Sequence, residues 1–148
     1  MARGDFKLFD NVCLLIGTTK YDLANDTLKM GIITSAATPV ATQADPKWGT
    51  YSANEVTTNA AYAAGGPALS SVAFTASSNV ATLDSSAITI SQNSSGSAAC
   101  FWGILYDDTH SSDAALGFVD LGGPVDQTAG DITITPNASG WLTITVTT

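Results

Sequence analysis

Charge is scarce in this 148-residue chain: Asp, Glu, Lys and Arg make up 12% of it, about half the ordinary share. Cations are scarcer still. Arg3, Lys7, Lys20, Lys29 and Lys47 are all of them, and from Trp48 onward there is neither Lys nor Arg. The first 47 residues are neutral, because Asp5, Asp10, Asp22, Asp26 and Asp45 balance those five cations. The net charge of −8 therefore rests on Glu55, Asp84, Asp107, Asp108, Asp113, Asp120, Asp126 and Asp131. Such a chain cannot neutralise phosphates along a continuous surface, which argues against nucleic acid as a partner and, by the same reasoning, against anionic membranes. The acidity either keeps the protein soluble or docks it on a basic partner.

Long apolar runs are missing too. Nothing approaches the ~18 consecutive apolar residues of a membrane span. The opening Met-Ala-Arg-Gly-Asp has no apolar signal-peptide core, so synthesis and folding in a cytoplasm are expected. Two cysteines, Cys13 and Cys100, sit among apolar neighbours without a CxxC or a histidine cluster, and are expected to be buried thiols rather than metal ligands; a disulfide between them requires the N-terminal segment to pack against the central strand. The one histidine, His110, has no GxSxG elbow or cysteine beside it, so no nucleophile and base pair is predicted and the chain reads as non-enzymatic. Asp107, Asp108 and Asp113 flank His110 without EF-hand spacing, and carboxylates in such turns commonly cap backbone amides instead of holding calcium. No cofactor motif is present: Gly65-Gly66 lacks the spacing and lysine of a phosphate loop. Arg3-Gly4-Asp5 matches an adhesion tripeptide of low specificity, and the glycosylation triplets at Asn25, Asn93 and Asn137 are inert without secretion.

What the chain does have is Ala, Ser, Thr and Gly, and alternating strands built from them. At this length a single domain buries roughly 68–70% of its unfolded surface. Residues 98–122 are its centre. Cys100, Phe101, Trp102, Ile104, Leu105 and Tyr106 run together almost without polar relief, as in a strand covered on both faces. Residues 116–121 return antiparallel to them, across the turn formers of residues 107–113. Val72, Phe74 and Ala76 alternate, Ser77-Ser78-Asn79 turns, and residues 80–83 come back. Residues 87–91 alternate again. Residues 131–135 and 141–146 carry Ile132 and Ile134, then Leu142, Ile144 and Val146, opposite threonines, which predicts a terminal hairpin with one buried face.

The rest is less regular. Phe6, Phe9, Cys13 and Ile16, widened by Val12 and Leu15, recur at helical spacing between Asp5 and Gly17, predicting a helix over residues 6–16; a strand over residues 13–16 is the rival. Residues 18–26 read as an extended segment and turn, and residues 27–34 as a strand through Leu28, Met30, Ile32 and Ile33. Residues 35–71 lose periodicity, and their Trp48, Tyr51 and Tyr62 are either exposed contact anchors or plugs on the end of a sandwich. The predicted organisation is one mainly β domain, an antiparallel β-sandwich or jelly-roll-like body over residues 72–148. Ahead of it come a strand with a long irregular segment over residues 18–71 and a short N-terminal helix or arm over residues 1–17.

Three pieces resemble small virion proteins of tailed bacteriophages. They are the predicted N-terminal helix ending at Gly17 with Tyr21-Asp-Leu-Ala-Asn-Asp-Thr-Leu-Lys29 and the strand after it, Met30 to Ile33; Ala53-Asn-Glu-Val56 with Tyr62-Ala-Ala-Gly-Gly-Pro-Ala-Leu69; and Ile104-Leu-Tyr-Asp-Asp-Thr109 with Leu116-Gly-Phe-Val-Asp-Leu-Gly122. The resemblance implies a structural protein of the virion, assembled after synthesis in the host cytoplasm, and within the virion a head decoration or cement protein. Its implied partners are the major capsid protein and copies of itself, with a trimer favoured; it carries over no catalytic, cofactor or metal residues. Phe6, Phe9, Trp48, Tyr51, Glu55 and Tyr62 are the expected partner contacts, with residues 35–71 and the N-terminus as arms. The alternative is a receptor- or glycan-binding module of a tail fibre or baseplate.

Overall fold

The structure is a computed structural model that describes residues 3–18 and 21–147. It is mainly β, antiparallel throughout and sandwich-like, as the alternation predicts. At its centre is the hairpin of β6 (Cys100–Asp107) and β7 (Ala115–Val125). The flanking strands are β2 (Leu28–Ile33) beside β6 and β1 (Phe6–Leu8) beside β7, giving the order β1-β7-β6-β2.

Both faces of this sheet are covered, which is why β6 tolerates so long an apolar run. Pairing register places Gly31, Ile104 and Phe118 on one face, where Phe9 packs at 5.2 Å from Phe118 and Trp48 stacks flat on Tyr106 at 5.1 Å. Met30, Leu105 and Val119 share the other face with Phe6. That side meets Ile134 and the edge of Trp141, whose ring lies 5.0 Å from Phe6.

The second layer is one long antiparallel ribbon, interrupted in the middle. Its inner part pairs β5 (Ile88–Ile90) with β8 (Ile132–Ile134), and its outer part pairs β4 (Val80–Asp84) with β9 (Leu142–Thr145). β3 (Ala73–Ser77) adds a third strand to the outer part through the predicted turn, where Ser78 and Asn79 both have positive φ. The predicted terminal hairpin is therefore corrected: β8 and β9 do not pair with each other but take β5 and β4 in turn. Residues 136–140 loop out of the ribbon, held by Gly140 N–H donating to Asn137 O (2.9 Å) and Ser139 N–H to Asn137 Oδ1 (2.7 Å). Trp141 N–H then rejoins β4 at Leu83 O (2.8 Å). A Cβ on Gly140 would lie 2.3 Å from that carbonyl, and its φ is +74°, so glycine is required there.

The N-terminal helix is also corrected. Residues 6–8 are a strand, and only α1 (Val12–Gly17) is helical. An isolated helix of this length is marginal in water, whereas β7 offers an unpaired ladder. Gly4 N–H donates to Asp120 O (2.7 Å) and Phe9 N–H to Leu116 O (3.0 Å), extending the pairing at both ends. The short helix leaves Cys13 exposed, contrary to expectation, while Cys100 is buried and both thiols are free. Residues 1, 2, 19 and 20, within the predicted N-terminal arm and the extended segment, lie outside the described residues.

Candidate interaction surface

Residues 35–71 do not form an arm. Their backbone covers the outer edge of β2: Thr34 N–H donates to Asn54 O (3.0 Å), Val56 N–H to Ile32 O (3.0 Å), Met30 N–H to Pro67 O (3.0 Å) and Leu69 N–H to Leu28 O (2.8 Å). Two broken pieces of chain thus do the work of a fifth strand. A short helix, α2 (Trp48–Tyr51), and the 3-10 turn Ser52–Asn54 precede the first piece and swing the aromatic rings inward.

Five of the six expected contact residues, the aromatic ones, are turned inward. Phe9, Trp48, Tyr51 and Tyr62 are buried at 2, 8, 3 and 1% exposure, and Phe6 is half-buried against Trp141. Trp48 needs Gly31 beneath it, since a Cβ there would come within 2.4 Å of its ring. Glu55 is half-buried and organises a network: its Oε1 accepts from Tyr62 Oη (2.9 Å) and Gly65 N–H (2.6 Å). Tyr62 Oη in turn accepts from Ile32 N–H (2.7 Å), and Tyr106 Oη donates to Gly65 O (2.9 Å). Burial pushes the Tyr62 and Tyr106 phenols far above their usual range, so both stay neutral donors. Of the two readings offered by the aromatics, the buried plug is the one this conformation adopts.

The polar connection after β6 holds a histidine and a serine hydroxyl in contact, His110 Nδ1 to Ser112 Oγ at 2.8 Å. Ser112 N–H also donates to the same nitrogen (3.2 Å), so the contact arises from the winding of one turn rather than from separate elements converging. His110 lines none of three surface clefts. These lie between Arg3, β7 and β8 (about 110 Å³), between β1 and residues 137–143 (about 270 Å³), and between Ile16, residues 21–24 and Phe74 (about 390 Å³). Asp107 Oδ1 accepts from Thr109 and His110 N–H (2.8 and 3.2 Å), the amide-capping role expected of it. Asp107 itself is fully buried, however, and not part of a solvated connection. Among the described residues no three His, Cys, Asp or Glu side chains converge as a metal site, and no helix is long and apolar enough to cross a membrane.

Besides the isolated Leu14 and Val40, what the fold leaves uncovered among its described large apolar side chains is at the far end of the outer sheet β3-β4-β9. Register places Phe74 and Ala76, Leu83 and Ala81, and Leu142 and Ile144 on one face. The end of that face nearest the main sheet is buried, with Leu83 at 0% and Leu142 at 4%; beyond it Ile144 is 36% and Val146 63% exposed. Asp84, at the end of β4, is the one ionisable residue in these three strands. Residues 142–146 carry the same apolar alternation as the buried strands, so sequence gave no sign that their far end would stay wet. The signal available was the absence of large apolar residues from β3 apart from Phe74, which leaves nothing to support another layer.

Comparison with protein-family models, with curated protein sequences and with solved structures finds no match to this chain.

Proposed function

We propose that this chain is a non-enzymatic structural protein of a tailed-phage virion, a head decoration protein that binds the outside of the capsid lattice. Copies of it associate through the exposed far end of β3-β4-β9. The observation that carries this reading is the uncharged, partly apolar far end of that sheet, on a molecule of net charge −8. Like-charged copies repel wherever their acids meet, so self-contact is favoured where acids are absent. The resemblance of residues 21–33, 53–56 with 62–69, and 104–109 with 116–122 to small virion proteins supplies the setting, and a closed trimer is the arrangement it favours. A protein that binds only the assembled lattice stabilises that lattice by mass action, and needs no reactive centre to do so.

A tail receptor- or glycan-binding module is less well supported, because Trp48, Tyr51 and Tyr62, the rings that would stack on a sugar, are buried in the free chain. Quantitative mass spectrometry of purified particles separates the two. Hundreds of copies per particle are expected of a decoration protein; a handful, or none, would overturn the assignment.

A further inference from the structure

Two carboxyl groups meet where residues 22–26 touch the loop that follows β6. Asp107 has no exposed surface, and while its Oδ1 is capped by two amides, its Oδ2 is buried without any donor. The neighbouring side chain that reaches its carboxyl is Asp26, an acceptor like itself. Asp26 Oδ2 already accepts from Asp22 N–H. The two segments are otherwise joined by Asp108 N–H donating to Thr27 O (2.9 Å) and Thr27 N–H to Thr109 Oγ1 (2.7 Å).

Among the described residues, no cation on the surrounding elements answers this pair. Lys29 of β2 is engaged by Asp108 at 2.8 Å. Tyr21 donates to Ala115 O (2.9 Å), and its phenol is held neutral by burial and then by Asp107. Asp22 accepts from Asn25 Nδ2 (2.9 Å), and His110 faces Ser112 through Nδ1. Asp113 belongs to the same loop and adds only further negative charge. Two ionised carboxylates side by side repel, whereas one protonated carboxyl donates to the other and satisfies the orphaned oxygen.

We propose that Asp26 and Asp107 share a single proton in the folded chain, forming a clasp between residues 22–26 and the loop of residues 107–113 that is closed in mild acid and loosened when the proton leaves. Burial first, and then Asp26, push the Asp107 carboxyl up to about 6. Its unfolded value lies near 4. The folded chain thus binds the proton more tightly than the unfolded one, and stability falls as pH rises from about 4 to about 6 and levels off above that.

Side-chain carboxyl NMR of the full chain, followed against pH, tests this. Asp107 is expected to titrate near pH 6, and Asp26→Asn, whose amide N–H donates without taking up a titrating proton, should lower that midpoint by a unit or more, a tenfold loss of proton affinity. Asp107→Asn is the second variant, expected to flatten the fall of the thermal midpoint between about pH 4 and 6. A midpoint for wild-type Asp107 at or below its unfolded value, or a midpoint unmoved in Asp26→Asn, overturns the clasp. So does a rise in thermal midpoint with millimolar calcium at neutral pH that Asp107→Asn abolishes, because a cation would then hold the place assigned to the proton.

Discussion

The inner and outer parts of the β4-β5 and β8-β9 ribbon are written in nearly the same letters, Ile-Thr-Ile against Leu-Thr-Ile-Thr, yet they end in different surroundings. Ile88, Ile90, Ile132 and Ile134 are 2–5% exposed beneath the main sheet, while Ile144, continuing the same alternation, is 36% exposed. Alternation assigns side chains to one face of a strand. Whether that face is buried depends on whether a second layer reaches it, and the main sheet reaches only the inner part. A regular apolar face without a layer over it is a reason to look for a partner.

Matched truncations sharpen this comparison. Ile134→Ala should destabilise by about 2–5 kcal/mol, the usual cost of emptying a packed site, and Ile144→Ala should cost well under half of that in dilute solution. Urea unfolding measures both; equal losses would mean that the outer face is covered within the single chain. A smaller effect is expected where the irregular segment closes the other side of the molecule. Tyr62→Phe leaves Ile32 N–H and Glu55 Oε1 without the phenol between them, and should cost about 1–3 kcal/mol. A neutral result would show that residues 55–69 contribute little to closing the edge of β2.

The strands were legible because burial on one face imposes a period of two, which marks β3 and β5, and burial on both faces an unbroken apolar run, which marks β6; β2, β4 and β7 also lie where the sequence pattern places strands. Partners were not legible. Residues 136–140 have the composition of a hairpin turn, and they do turn, but Gly140 returns the chain to Leu83 of β4 instead of to β8. Residues 6–16 satisfy helical spacing, yet the open edge of β7 is a long-range fact that no local period reports. Residues 35–71 have no period because they cover an edge with two irregular pieces and a face with single rings, Trp48 on Tyr106 and Tyr51 beside Phe9. Of the surface now favoured for contact, only Phe74, Ile144 and Val146 stood out as apolar, and sequence placed them in the core. Asp107 was recognisable as an amide cap, but its burial beside Asp26 depends on residues far apart in the chain meeting at the end of β6.

Amide hydrogen exchange, compared between the chain free in dilute solution and the chain in purified particles, tests the central division of this molecule most directly. Residues 73–84 and 142–146 should gain protection on assembly, while residues 48–69, closed in both states, should change little. Protection gained over residues 48–69 with β3-β4-β9 unchanged would contradict it, and would return the aromatic segment to the role of contact arm.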